Sequence, residues 1–214
     1  MSSLARLDHV IYAVLDIERE HARLTEAFPE AWPIGRFWPH GRTSGVALGG
    51  LNLELIQPDE PDAKEDHLGL TLVFEPRSLE AAQQALDAAG IRNDVFDKFE
   101  QIPELLALRG FTSVASRVPQ LICRNVMPTE PQLPFDFFVC DYSEFLKAWL
   151  SPSHPRLATS TRVTDVVFGT PHAAEASALL DRLGYAGDVA ITFRTHGDQR
   201  ILEINTNIGP LPWP

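Results

Sequence analysis

A histidine stands third in the apolar stretch LDHVIYAV, Leu7–Val14, and a glutamate stands among leucines in LNLELIQ, Leu51–Gln57. Both stretches have the composition of β-strands, whose side chains alternate between two faces. On that alternation His9 shares a face with Leu7, Ile11 and Ala13, and Glu54 shares one with Asn52 and Ile56. Leu51, Leu53 and Leu55 take the opposite face and are expected to pack beneath a helix. Glu54 then points into whatever the sheet encloses. An ionised carboxylate buried alone is unfavourable by several kcal/mol, so Glu54 needs a cation, a hydrogen-bond network or water. A lone strand histidine reads as a hydrogen-bonded core residue. Paired with a glutamate of this kind, it reads as a metal ligand or a catalytic base.

A second group lies between these strands. The segment FWPHGRTSG carries Trp38, His40, Arg42 and Thr43. Aromatic, imidazole and guanidinium groups together suit an anionic or planar ligand. Without a ligand, the same segment is an exposed hairpin loop with an aromatic anchor. In the ligand reading Glu54 moves a proton while Arg42 or His40 holds an anionic end.

The elements that must position these residues follow a repeated rhythm. The first unit, 1–58, opens with LDHVIYAV. A helix follows in which Ile17, His21, Leu24 and Phe28 recur at helical spacing, with Asp16 as its cap. One or two short strands and LNLELIQ complete the unit. The polar run PDEPDAKED, 58–66, is a linker or exposed loop. A second unit, 66–142, starts with HLGLTLVF and the helix SLEAAQQALDAAG, capped by Ser78 and ended by Gly90. DVFDKF, TSVASRVP, QLICRNVM and LPFDFFVC are its strands, with FEQIPELLALRG a loop or short helix. The Pro- and Ser-rich KAWLSPSHPRLATST connects to a third, shorter β-α-β-β unit, 160–208. Its parts are TRVTDVVFGT, HAAEASALLDRLG, DVAITFRTHG and QRILEINTN. The prolines of the tail IGPLPWP exclude a central strand there. The fold class is α+β, with repeated β-α-β-β-β units, mostly antiparallel sheets and one or two compact domains in total.

An early L-D-H-V strand, an amphipathic helix and a closing L-E-L-I strand some 45 residues on resemble the glyoxalase/bleomycin-resistance/extradiol-dioxygenase superfamily, the vicinal oxygen chelate proteins. WPHGRTSG, LPFDFFV and SHP narrow the resemblance to glyoxalase-like domain proteins. The resemblance implies paired units forming a cup-shaped sheet with helices packed outside. It also implies one divalent metal (zinc, nickel, manganese or iron) held by His9 and Glu54, or no cofactor. A small molecule with vicinal oxygens would be the substrate, in a lyase, isomerase or dioxygenase reaction. In the second unit Gly69 aligns with His9 and cannot ligate. His67 is the candidate to replace it, and Asp136 or Asp141 the candidate for the second unit's carboxylate. In the third unit Asp165 aligns with His9 and Glu203 with Glu54, and both are further candidate ligands.

Composition narrows the alternatives. The 214 residues hold 18 Lys plus Arg against 29 Asp plus Glu, a formal charge of −11. That balance argues against nucleic acid and anionic membranes as partners. The two cysteines, Cys123 and Cys140, have no metal spacing and read as small buried apolar groups. With no signal-like or membrane-spanning run, a cytoplasmic protein is expected. His21, His172 and His196 are expected at the surface, and His154 in a turn. The same fold also serves metal-free small-molecule binding or sequestering proteins, and the aromatic segment FDFFVCDYSEF suits pairing across a homodimer.

Overall fold

Asp16 and Ser78 stand where strands give way to helices, and each folds its side chain back onto the chain. Asp16 Oδ1 accepts from the Arg19 amide at 3.0 Å, and Ser78 Oγ accepts from the Ala81 amide at 3.1 Å. These caps open α1 (Ile17–Ala27) and α2 (Leu79–Ala88). The computed structural model describes residues 3–29, 31–38, 41–59, 69–100, 120–130, 132–144 and 161–211. TSVASRVP, most of PDEPDAKED and nearly all of KAWLSPSHPRLATST lie outside them.

The first unit contains β1 (Leu4–Ala13), α1, β2 (Trp32–Trp38), β3 (Gly41–Leu48) and β4 (Leu51–Pro58). The second contains β5 (Leu70–Pro76), α2, β6 (Asn93–Glu100), β7 (Gln120–Pro128) and β8 (Asp136–Tyr142). Together they make one eight-stranded sheet in the order β2-β3-β4-β1-β5-β8-β7-β6. Each unit pairs its first and last strands in parallel, β1 with β4 and β5 with β8. The units meet at the antiparallel pair β1–β5. The third unit, β9 (Val163–Thr170), α3 (Ala173–Arg182), β10 (Ala190–Thr195), β11 (Arg200–Thr206) and β12 (Gly209–Leu211), forms a separate sheet, β10-β9-β11-β12. Here the strand directly after the helix is the parallel partner of β9, and β11 pairs with it antiparallel. The third unit therefore differs in topology from the first two. The proline-bearing β12 sits at a sheet edge, as its missing amide hydrogen requires. The class is α+β, with cup-shaped, mostly antiparallel sheets and helices outside.

The larger core cluster lies on one side of the large sheet. Leu51, Leu53 and Leu55 are buried there with Ile17 and Leu24 of α1, and Leu72 and Phe74 with Ala82 and Leu86 of α2. The third unit packs on the same side. Tyr185 meets Phe74 with ring centroids 5.6 Å apart, and Phe193 meets Phe135 at 5.0 Å. The Ser3 amide donates to Gly184 O at 3.1 Å, tying the start of β1 to the third unit. The opposite side of the large sheet is its cup face.

One irregularity in β1 decides what that cup presents. Leu7 pairs with Phe74 and His9 with Val73, which leaves Asp8 as an extra residue. The bulge shifts the alternation. Leu7 and Val10 are both buried in the core, 1% exposed each, while His9 and Ile11 face the cup. The expected grouping of His9 with Leu7 is thereby corrected: they lie on opposite faces. The segment FDFFVCDY is also not an exposed pairing edge, because β8 has β5 on one side and β7 on the other. Its Phe135, Phe137 and Val139 are buried in the core. Among the described residues, no helix is long and apolar enough to cross a membrane.

Candidate functional site

The parallel register of β1 and β4 sets His9 beside Asn52 and Ile11 beside Glu54. His9 and Glu54 thus share the cup face as diagonal neighbours on adjacent strands. Glu54 is half-buried, and among the described residues its carboxylate has no hydrogen-bond or ion-pair partner. Gly45 stands across from Glu54 on β3. A Cβ on Gly45 would fall 2.4 Å from the Trp32 ring, so glycine is what lets the indole lie over the strand there. Along the row from His9 come Val73 and then Phe138, whose ring meets the imidazole edge-on at 6.2 Å.

His9 is held from behind by a buried carboxylate. Asp8 is 2% exposed, and its Oδ2 lies 2.7 Å from His9 Nδ1. Arg6 Nη2 donates to Asp8 Oδ1 at 2.6 Å, and the Tyr142 hydroxyl donates to Oδ2. Arg6 Nε in turn donates to Glu75 Oε2 at 2.5 Å. Burial alone would raise the Asp8 pKa, but the hydrogen bond and charge of His9, the charge of Arg6 and the Tyr142 hydroxyl outweigh it and hold the carboxyl below the usual range. Burial, followed by the charge of Asp8, pushes the Tyr142 phenol well above its ordinary value. Asp8 at 2% exposure is therefore an ionised carboxylate with three donors, which is how a buried charge is made tolerable. His9 Nε2 has no partner among the described residues.

The other candidates separate. Thr43 is on the Glu54 face, opposite Ile56, and its Oγ1 is buried with no partner among the described residues. Its neighbour Arg42 faces the other way, donating to Glu18 on α1 and to Gln57 Oε1 at 2.6 Å. Trp38 ends β2, opposite Gly41. His40, His67 and His154 lie outside the described residues. Asp136 is exposed, across from Thr71 in the register that sets Glu54 across from Ile11. Asp141 is opposite Arg124 on β7. Asp165 accepts from Asn205 Nδ2 at 3.0 Å, and Glu203 pairs with Arg194 at 2.5 Å. Both belong to the second sheet, which packs against the core side, so neither reaches the cup of His9 and Glu54. His21, expected at the surface, instead contacts the buried Ser44 hydroxyl at 2.7 Å, and His196 packs over Gly169. Cys123 and Cys140 are free, buried thiols on the cup side of β7 and β8.

Reading residues by type missed Asp8 and Tyr142. A signal for the first was present: Leu7 and Val10, both apolar, are three residues apart, a spacing that fits a bulge better than a regular strand. Among the described residues, no group of three His, Cys, Asp or Glu side chains is arranged to hold a metal ion. His9 and Glu54 supply two donors, one fewer than the three protein ligands of typical catalytic zinc sites.

No model of a protein family and no curated protein matches the sequence. Solved structures do match. A hypothetical protein from Staphylococcus aureus superposes with a TM-score of 0.65 at 8% identity, over 94% of this chain and 90% of that one. An extradiol ring-cleaving dioxygenase from B. fuscum gives 0.50 at 13% identity, over 96% of this chain and 57% of its own. An anaerobic substrate complex of homoprotocatechuate 2,3-dioxygenase from Brevibacterium fuscum gives 0.51 at 15%, over 96% and 64%. The chain thus spans most of the staphylococcal protein and under two thirds of either dioxygenase chain. At these identities the likeness is one of backbone. With two β-α-β-β-β units joined through their first strands around a cup, this chain has the fold of the vicinal oxygen chelate superfamily.

Proposed function

We propose that the cup face binds a small molecule with vicinal oxygen atoms and moves a proton on it, with Glu54 and His9 as the acid–base pair. The observation that carries this reading is the pairing of two unsatisfied groups on one face. His9 is oriented from behind through Nδ1, and among the described residues Nε2 is left open and Glu54 is an unpartnered carboxylate beside buried leucines. Neither arrangement helps the fold, and both suit a ligand with polar atoms.

A neutral imidazole accepts a proton at Nε2, and the buried Asp8 carboxylate then stabilises the imidazolium. Glu54 either takes a proton from a carbon next to a carbonyl or returns it. Trp32 and Phe138 offer ring surfaces to the apolar part of the ligand. Thr43 supplies a hydroxyl further along the strand pair. Arg42, engaged with Glu18 on the helix side, is dropped as the anchor for an anionic end. A zinc, nickel, manganese or iron ion would have His9 and Glu54 as donors among the described residues, and the proton transfer is assigned to the side chains.

The dioxygenase neighbours support a small, oxygen-rich ligand through their fold alone. The experiment is calorimetric titration with catechol, an α-hydroxyketone and a 2-keto acid, with NMR detection of deuterium exchange at the carbon next to oxygen. At least one probe should bind, about tenfold more weakly to Glu54→Gln and His9→Asn, and exchange should slow in both. Binding without exchange establishes the second reading, a metal-free binding or sequestering protein, which the missing third donor favours. Binding of no probe by the unaltered protein refutes both.

A further inference from the structure

We propose that Tyr142 is a positioning residue for His9: through the buried Asp8 carboxylate it fixes His9 as the Nδ1–H tautomer, so that Nε2 is the ring nitrogen whose lone pair faces the cup. The proposal deepens the reading of His9 as a proton acceptor and rests on it for its functional meaning.

Three donors converge on Asp8, from Arg6, Tyr142 and the His9 ring. An arginine can only donate, and a carboxylate so surrounded can only accept. His9 Nδ1, 2.7 Å from Asp8 Oδ2, must then carry the hydrogen. The neutral ring has one such hydrogen, so Nε2 is left as the acceptor. Tyr142 controls this because it shares Oδ2 with His9, while Arg6 holds Oδ1. Without the phenol, Arg6 alone sets the carboxylate plane, and Arg6 is itself drawn toward Glu75. The bulge makes the arrangement possible, since the extra residue turns Asp8 toward the same side as its neighbour His9. Tyr142 reaches Asp8 from β8, across the intervening β5, over a sequence separation of 134. The histidine of the first unit is thus aligned by a side chain of the second, and the site is complete only when the two units share a sheet.

The test is imidazole ¹⁵N NMR of the full chain at about pH 8.5, where imidazole is ordinarily neutral. The unaltered protein should show His9 with a hydrogen-bearing Nδ1 and a pyridine-like Nε2. Asp8→Asn, whose amide can donate to Nδ1, should invert the pattern. Tyr142→Phe should lower the Nδ1–H to Nε2–H ratio by about tenfold. An Nε2–H tautomer in the unaltered protein, or a ratio untouched by Tyr142→Phe, overturns the proposal. Glu75→Gln is the control for general loosening and should leave the ratio within about twofold. If Tyr142→Phe does not fold, 3-fluorotyrosine at position 142 keeps the hydroxyl and, through one ring fluorine, makes it a more acidic donor. The His9 shifts then move if the proposal holds and stay if it fails. No probe molecule enters this experiment, so failure of the proposed function and failure of this inference are read separately.

Discussion

Ile11 faces Glu54 across the parallel pair β1–β4, and Thr71 faces Asp136 across the parallel pair β5–β8. Each carboxylate sits on the last strand of its unit, yet their surroundings differ. Glu54 is half-buried beside an indole, with a bulged strand presenting His9 next to it. Asp136 is exposed, and Gly69, expected in the place of His9, lies instead beside Ala13, four residues along β1 from His9. A Cβ added to Gly69 would stand 3.5 Å from Asp136 Oδ2, ordinary contact distance. One backbone plan was used twice, and the chemistry was built in one copy. The difference lies in one extra residue and a few side chains, which is why a fold by itself does not assign an activity.

Giving the second half a donor of its own should have the largest effect. Thr71→His places a third imidazole or carboxylate donor on the cup face, beside Ile11 and in the row of Glu54. Titration calorimetry with zinc or nickel should then show affinity rising by about 100-fold, equivalent to about 2.7 kcal/mol. An unchanged affinity would show that Thr71 does not share the site of His9 and Glu54. Next in size, Asp8→Ala removes the acceptor of Arg6 Nη2 and of the Tyr142 hydroxyl and should lower unfolding stability in urea by about 1.5–3 kcal/mol. Asp136→Ala, at an exposed site, should change it by about 0.5 kcal/mol or less.

The pH dependence sharpens the same contrast. The Asp8 carboxyl has a lowered pKa in the folded chain, so its contribution is present above the ordinary aspartate value of about 3.9 and is lost as pH falls through the lower folded value. Tyr142, raised by burial and then by Asp8, contributes below about pH 10 and loses that contribution as pH rises through its higher folded value. Asp8→Asn should flatten the acid limb of a stability–pH curve, and Tyr142→Phe the alkaline limb. Glu54→Gln should leave thermal stability unchanged or raise it by about 0.5–1 kcal/mol, since an unpartnered half-buried carboxylate serves function at the expense of the fold. Finally, Asp16→Ala and Ser78→Ala remove equivalent helix caps and should each lose about 1 kcal/mol, nearly the same in both halves.

The sequence made some of this plain and hid the rest for identifiable reasons. Helix caps, the leucine face of β4 and the turn-ending Gly90 are local signals, and each is visible within a few residues. The grouping of Arg42 with Thr43 ignored the alternation applied elsewhere, for adjacent strand residues point to opposite faces and these two do. The bulge at Asp8 left a trace in the spacing of Leu7 and Val10, but its functional weight depends on Tyr142, 134 positions away. The matching of Asp165 and Glu203 to His9 and Glu54 failed on topology. The third unit follows its helix with a strand paired parallel to its own first strand, whereas α1 and α2 are followed by strands three places away from β1 and β5 in the sheet. No pattern inside the strands themselves distinguishes those two routes.

The bulge also makes the length of β1 a chemical variable. Read outward from residue 8, Arg6 and Leu7 keep one phase, and His9 and the residues after it keep the other. Substitution at residue 8 alters a hydrogen bond and leaves both phases intact. Deletion of residue 8 would merge them, so that either Leu7 turns out of the core or His9 turns into it. A chain one residue shorter at this point could preserve every other letter of L-D-H-V and still point its imidazole at the wrong side of the sheet.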